Sequence, residues 1–105
     1  MKLLTDDEIK KQLICLKQWD WNRETHVIEK NFTFENFTDA VYFLNQVAEI
    51  AEQEDHHPDL HLTKYRNLKI VLSTHSAKGL TKKDFEDKIF LLDPCLPNPT
   101  FLRQS

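Results

Sequence analysis

The chain has 105 residues, enough for one hydrophobic core but too few for two independent domains. Its single glycine, four prolines and ordinary shares of apolar (40%) and charged (30%) residues argue against a disordered chain and against a glycine-rich phosphate loop. The formal net charge is -3, with acidic and basic residues interspersed, which argues against nucleic acid as a direct ligand.

The cysteines and the N-terminal sequence indicate an intracellular protein. Cys15 and Cys95 lie far apart in the sequence and form no CxxC pair, so we expect reduced thiols rather than a disulfide. The N-terminus lacks the apolar run of a secretion signal, and no segment approaches the roughly 20 apolar residues that a membrane-spanning helix needs. We therefore expect one cytoplasmic domain over residues 1–105, with no membrane association.

The beginning of the chain predicts a helix followed by a hairpin. Thr5 and Glu8 form a capping box for a helix from about residue 6 to 16. Apolar residues then alternate in two runs between about residues 19 and 34, on either side of a polar turn at about 22–25. We interpret these two runs as short strands.

The longest periodic segment predicts a second helix from about residue 35 to 53. Its apolar arc is broad, so this helix is either deeply buried or partly exposed to another subunit. The helix ends in Glu52, Glu54 and Asp55, although acidic residues are unfavourable at the negative end of a helix dipole. Because departures from local rules are expected at functional sites, this helix end is a candidate site.

The second half of the chain predicts another pair of strands and a third helix. Apolar residues indicate strands at about 61–66 and 68–73, with a turn near Asn67. Thr81 then caps a helix that runs to about residue 92. A proline-rich, irregular tail follows from about residue 93.

The predicted element order is helix, two strands, helix, two strands, helix. Short turns between strands favour antiparallel pairing, and amphipathic helices need a sheet face to cover. We therefore predict an α+β fold with order α-β-β-α-β-β-α, in which three helices pack on one face of a four-stranded antiparallel sheet. The other face should be solvated or contact another subunit.

Three of the five histidines suggest either proton transfer or metal binding. His56 and His57 follow the acidic helix end and precede Pro58, and His75 follows the fourth predicted strand. Imidazole is the only side chain whose unperturbed pKa lies near neutrality, which suits an acid or a base. A zinc site is the alternative, since these rings and His61 could supply nitrogen ligands. However, adjacent histidines point in different directions, and no HExxH or Cys/His finger is present.

Three short motifs follow one another in a fixed order in the second half of the chain. They are Asp55-His56-His57-Pro58 with Tyr65 after it, Leu72-Ser73-Thr74-His75, and Gly79-Leu80-Thr81 followed by Asp84. This set resembles the signature of the pterin-4a-carbinolamine dehydratases, and the similarity extends from about residue 13 to 90. The HHP motif alone would be a weak signal, whereas the ordered set is specific.

The resemblance implies a fold, a reaction and a set of site residues. It implies the same α+β fold, and the dehydration of 4a-hydroxytetrahydrobiopterin to quinonoid dihydropterin without a metal or another cofactor. This lyase reaction recycles the tetrahydrobiopterin that aromatic amino acid hydroxylases use. By position, the three active-site histidines are His56, His57 and His75. The positions that line or support the pterin pocket are Glu52, Asp55, Pro58, Ser73, Thr74, Trp19 and Asp84.

The histidines fit the chemistry of the implied reaction. Loss of water from a carbinolamine needs one proton delivered to the departing hydroxyl and another removed from a ring nitrogen. Our hypothesis is that His57 and His75 flank these two atoms, one as acid and one as base, while His56 orients them or shares the proton. Glu52 and Asp55 would hold an imidazolium or accept hydrogen bonds from the pterin.

The resemblance also leaves a non-enzymatic alternative. Members of the family form dimers or tetramers, which implies a homo-oligomer, and an animal member also serves as a dimerisation cofactor of a transcription factor. The chain could therefore be a non-enzymatic module that binds a pterin or a protein. It departs from its relatives at Glu86, Asp87 and Lys88, where they tend to keep a more apolar helix, and its proline-rich tail resembles nothing in the family.

Overall fold

The computed structural model describes residues 2–74 and 77–93 and confirms the predicted α+β fold and its element order. The helices are α1 (Asp6–Leu13), α2 (Phe37–Glu54), α3 (Lys82–Phe85) and a 3₁₀-helix (Lys88–Leu92), and the strands are β1 (Asp20–Asn22), β2 (Val27–Thr33), β3 (Asp59–Thr63) and β4 (Asn67–Leu72). The predicted irregular tail lies outside the described residues after Asp93. Within the described ranges, every helix falls short of the length and apolarity that a bilayer crossing requires.

The four strands form one antiparallel sheet in the order β1-β2-β4-β3. In its centre, Ile28 of β2 lies opposite Leu72 of β4, and Phe32 lies opposite Leu68. Because side chains alternate between the faces of a strand, these apolar residues share one face, and all of them are buried. On the opposite face, Asn31 of β2 is exposed. The sheet therefore has one apolar inner face and one polar outer face.

The helices supply the other half of the core. Ile9 of α1, Val47 of α2, Phe85 of α3 and Phe90 of the 3₁₀-helix are buried together with the inner face of the sheet. Trp19, just before β1, packs its ring edge-on against Phe90 with the ring centroids 5.1 Å apart. All helical segments thus cover the same face of the sheet, as predicted.

A buried ion pair joins the inner face of the sheet to the chain after the 3₁₀-helix. The Lys30 ammonium lies 2.8 Å from Asp93 Oδ2, and the two side chains are 3% and 0% exposed. The indole N–H of Trp19 donates to the same oxygen at 3.0 Å. Since an unpaired buried charge is costly, this network holds Asp93 against the sheet.

The first helix ends earlier than the apolar periodicity predicts. It ends at Leu13 rather than near residue 16, because the N–H groups of Cys15 and Leu16 donate to carbonyls three residues before them. This is the tighter 3₁₀ pattern that commonly closes a helix. Gln18 then adopts a left-handed backbone, with φ 67°, and directs the chain into β1.

The turn between β3 and β4 lies before Asn67, which is itself the first residue of β4. Lys64 and Tyr65 both adopt left-handed backbone, with φ values of 48° and 57°. Neither residue is a glycine or an asparagine, the usual sequence signals of such a turn. The turn therefore lies at residues 64–66, slightly earlier than the predicted position near Asn67.

The predicted third helix is interrupted at Asp87. This residue has an extended backbone, with φ -65° and ψ 132°, between α3 and the 3₁₀-helix. Its Oδ1 accepts a hydrogen bond from the N–H of Ile89 at 3.0 Å, so it caps the 3₁₀-helix. The interruption turns a fully buried carboxylate toward the C-terminal end of α2.

Candidate active site

The site is built where α2 ends. Asp55 adopts a left-handed backbone, with φ 51° and ψ 42°, which stops the helix. Asp is one of the few residues other than Gly that tolerate this conformation. The N–H of His56 then donates back to the carbonyl of Ala51 at 3.1 Å. After this C-terminal turn, the two neighbouring histidines lie in different environments: His56 is buried and His57 is exposed.

His56 is held between two carboxylates. Its Nδ1 lies 2.8 Å from Asp87 Oδ2, and its Nε2 lies 2.9 Å from Asp84 Oδ1 and 3.1 Å from the carbonyl oxygen of Ser73. A neutral imidazole carries only one N–H, whereas both ring nitrogens here face acceptors, so the ring is protonated. The carboxylates of Asp84 and then of Asp87 raise the pKa of His56 to about 10, against the opposing effect of burial.

Asp84 is fixed by the start of α3 and the end of β4. Its Oδ2 accepts hydrogen bonds from Thr74 Oγ1 at 2.8 Å and from the N–H of Thr81 at 2.9 Å. Among the described residues, Oδ1 has no hydrogen-bond donor directed at it, although the His56 ring lies within ion-pair distance. The Nε2–H bond points at the Ser73 carbonyl, and the contact with Asp84 is ionic. The positive charge of His56 offsets the cost of burying Asp84 Oδ1 without a hydrogen bond.

The charge on His56 couples the stability of the fold to pH. The ordinary pKa of 6.5 rises to about 10 in the folded protein, so the folded state binds this proton more tightly than the unfolded state does. The resulting stabilisation is complete below pH 6.5 and is lost as the pH rises toward about 10. We expect the free energy of unfolding to fall across this window by up to about 1.4 kcal/mol per pH unit. Urea denaturation at several pH values measures it, and a flat profile would contradict the assignment.

His57 is exposed and paired with a carboxylate. Its side chain is 56% exposed, and its Nε2 lies 3.1 Å from Oε2 of Glu52, one helical turn earlier on α2. No hydrogen bond to Nδ1 occurs within the described part of the chain. A carboxylate thus orients an exposed imidazole through one of its two nitrogens, which is the usual arrangement of a base and its orienting group.

The other acids at the end of α2 have separate structural partners. Glu54 Oε1 accepts a hydrogen bond from the backbone N–H of Lys88 at 2.7 Å, which ties α2 to the 3₁₀-helix. The Asp55 carbonyl accepts one from Lys83 Nζ at 3.1 Å, while its side chain is exposed. The contact of the Glu54 carboxylate explains why that acid is tolerated at this helix end. The role of Glu54 was missed by the sequence analysis, because its partner lies 34 residues away.

The structure brings several of the proposed site residues together. Those that meet at the buried His56 ring or at its partners are Ser73, Thr74 and Asp84, while Glu52 meets His57. Pro58, the residue after His57, is half-buried. Trp19 is 6% exposed and contacts Phe32, Phe90 and Asp93, so it packs within the core. His75 lies outside the described residues.

Asp87 is the site residue that the sequence analysis missed. It is fully buried and pairs with His56, yet helical periodicity placed it outside the apolar face of a continuous third helix. The available signal was the run Glu86-Asp87-Lys88, where the family resemblance implies a more apolar helix. The fold buries Asp87 of this run, and a buried carboxylate needs a partner.

The described residues offer little to a metal ion. No group of three or more histidine, cysteine, aspartate or glutamate side chains in residues 2–74 and 77–93 is arranged to hold one. His56 has no free lone pair either, since both of its nitrogens carry protons that face oxygen acceptors. The ring of His56 therefore does not suit the zinc alternative, because a ligating histidine must be neutral.

Comparison with known proteins identifies the family. A family model described as pterin 4 alpha carbinolamine dehydratase matches residues 2–87. The chain belongs to this family. The resemblance inferred from the ordered motifs is thereby confirmed, and the matched region of the dehydratase family includes every described residue of the site.

Individual relatives agree with this assignment. A protein from Picosynechococcus sp., provisionally named a pterin-4-alpha-carbinolamine dehydratase, is 42% identical over 83 residues, which cover 79% of this chain and 87% of that protein. A protein of the same provisional name from Sulfolobus acidocaldarius is 41% identical over 83 residues, covering 79% of this chain and 88% of that one.

Two solved structures of pterin dehydratase relatives share the fold. A transcriptional coactivator/pterin dehydratase from Brucella melitensis matches with a TM-score of 0.80 and 31% identity, covering 87% of this chain and 98% of that chain. A pterin dehydratase-like protein identified as a RuBisCO assembly factor in the alpha-carboxysome matches with a TM-score of 0.59 and 18% identity, covering 73% and 90%. The second likeness concerns the fold alone.

Proposed function

We propose that this chain is a 4a-hydroxytetrahydrobiopterin dehydratase that works by histidine general acid–base catalysis. The observation that carries the proposal is the contrast between two adjacent histidines. His56 is a buried cation with both nitrogens engaged, whereas His57 is exposed and oriented by Glu52. Membership in the dehydratase family gives this pair its substrate class.

In the proposed reaction, the bond between C4a and the hydroxyl oxygen breaks. The hydroxyl takes up a proton and leaves as water, and a ring nitrogen loses a proton as the quinonoid dihydropterin forms. Both transfers need groups that titrate near neutral pH. We assign one of them to His57 and, by the family resemblance, the other to His75. His56 is an orienting group in this scheme, because neither of its nitrogens is available to a ligand.

The exposed acids beside His57 would recognise the pterin. Carboxylates only accept hydrogen bonds, and the pterin presents an amino group and ring N–H groups as donors. Glu52 and Asp55 both expose their side chains at the end of α2. Glu52 would serve twice, since it also orients His57. No metal or additional cofactor enters this scheme.

The proposal includes a cellular role and an assembly. The product is reduced back to the cofactor of aromatic amino acid hydroxylases, so the enzyme would act with them in the cytoplasm. A homodimer or homotetramer is supported by α2, where Phe37 and Tyr42 leave 54% and 59% of their surface exposed. Size-exclusion chromatography with light scattering checks the assembly, and a monomer at micromolar concentration would contradict this part.

The decay of freshly generated 4a-carbinolamine tests the proposed activity. We expect the wild-type protein to accelerate this decay well beyond the rate in buffer, with saturation at high carbinolamine. The alternative is a module that binds a pterin or a protein without catalysis, and it predicts the buffer rate at every protein concentration. That result would overturn the proposed enzyme activity.

A further inference from the structure

Three segments of the fold meet at the His56 ring. Asp84 approaches from α3, Asp87 from the break before the 3₁₀-helix, and the Ser73 carbonyl from the end of β4. The ring and both carboxylates are buried, with exposed fractions of 5% for His56 and 0% for each acid. We call His56, Asp84, Asp87 and the Ser73 carbonyl the His56 clamp.

The two acids of the clamp are anchored independently of each other. Asp84 is held by Thr74 Oγ1 and the N–H of Thr81, while Asp87 accepts from the N–H of Ile89 through its Oδ1. Each acid therefore reaches His56 from a fixed position, one on each ring nitrogen. Two anchored carboxylates fix both the charge and the orientation of the ring.

The clamp joins the segments that carry the proposed acid and base. On one side, Glu52 lies in the last turn of α2, and His57 follows three residues after the helix ends. On the other side, Ser73 and Thr74 directly follow β4, and the next residue in the sequence is His75. A change in the clamp would thus alter how the end of α2, which carries His57, sits against the end of β4.

We propose that Asp87 is a positioning residue for the dehydration, acting through His56 to hold the end of α2 against the end of β4. This inference rests on the proposed function for its catalytic part. Asp87 and His56 do not face a ligand, so their contribution is to geometry and not to contact with the pterin. The clamp also makes His56 a fixed cation that takes no part in the proton transfers.

The test compares Asp87→Leu and Asp87→Asn with the wild-type protein. Leucine removes the acceptor from His56 Nδ1, whereas the asparagine side chain keeps an oxygen acceptor of the same size without the charge. We expect Asp87→Leu to lower kcat by up to about 100-fold with a small change in KM, because misplacing catalytic groups by about 1 Å can cost that much. Asp87→Asn should recover most of kcat.

Glu86→Gln is the matched control. Glu86 is the neighbouring residue, is exposed, and lies 3.5 Å from Lys82 on the surface. We expect wild-type kcat and KM from this variant. Rates are referred to the folded fraction measured by circular dichroism, so that a loss of stability alone does not lower them. An unchanged kcat per folded Asp87→Leu molecule would overturn the positioning role.

A second readout does not depend on catalysis. ¹⁵N NMR of the imidazoles over a pH titration should show both nitrogens of wild-type His56 protonated through pH 8. In Asp87→Leu, His56 should lose its proton at a lower pH than in the wild type. Loss of the His56 proton below pH 8 in the wild type would overturn the clamp. If the wild type fails to accelerate carbinolamine decay, the proposed function fails, and the NMR titration still decides whether Asp87 holds His56.

Discussion

Replacing His57 with alanine should lower the turnover of the carbinolamine by about 10²- to 10⁴-fold, the usual contribution of a general acid or base. The side chain is more than half exposed, and within the described residues its hydrogen-bond partner is Glu52, an even more exposed residue. The fold should therefore tolerate the change, with a free energy of unfolding within about 0.5 kcal/mol of wild type. Stopped-flow decay of the carbinolamine and urea denaturation measure the two effects.

Two further variants separate catalysis from general effects at this surface. Glu52→Gln removes the orienting carboxylate but keeps the imidazole, so its loss of turnover should be smaller than that of His57→Ala. His61→Ala removes an exposed histidine from the outer face of the sheet and should behave as wild type. Equal rates for His57→Ala and His61→Ala would remove His57 from the mechanism.

Replacing Asp84 with asparagine should destabilise the fold by about 3 kcal/mol, in the range found when one partner of a buried ion pair is lost. The change takes a counter-ion from the buried His56 cation, and the new amide NH₂ would face either the donors of Thr74 and Thr81 or the His56 ring itself. Asp87 still pairs with His56, so we expect the lower end of the range. Urea denaturation at pH 7 measures the change.

The exposed pair in the same site is the control for this effect. His57 and Glu52 also form a contact between a histidine and an acid, at 3.1 Å, but with 56% and 79% of the side chains exposed. Exposed ion pairs contribute about 0–1 kcal/mol, so Glu52→Gln should leave stability nearly unchanged. A destabilisation by Asp84→Asn as small as that of Glu52→Gln would show that His56 is neutral in the folded protein.

The architecture could be predicted from the sequence because its signals are local. The capping box at Thr5 and Glu8 marks the start of α1, and both of its hydrogen bonds are present. The alternation of apolar residues in β2 and β4 fixed which side chains face the core. Turn positions failed where no turn residue marks them, as at Lys64 and Tyr65.

The residues of the candidate site could be named from the sequence, but their environments could not. The HHP motif located His56 and His57, yet nothing in adjacent identical residues says which is buried. That outcome depends on the left-handed backbone of Asp55 and on carboxylates that lie 28 and 31 residues later. Contacts over such separations are set by the assembled fold and leave no periodic pattern in the sequence.

The break in the third helix and the placement of Trp19 have the same origin. Periodicity predicted one continuous helix, but the pairing of Asp87 with His56 favours an extended residue at that point. The resemblance gave Trp19 a role in lining or supporting the pterin pocket, and in the structure its indole N–H donates to Asp93, 74 residues away. A buried polar partner of this kind is visible only in three dimensions.

The most direct test of the account is the rate of carbinolamine decay at equal concentrations of wild type, His57→Ala and His61→Ala. The account predicts that wild type and His61→Ala accelerate the decay equally and that His57→Ala is at least about 100-fold slower. Decay at the buffer rate with the wild-type protein would contradict the dehydratase activity. Equal acceleration by all three proteins would contradict the assignment of proton transfer to His57.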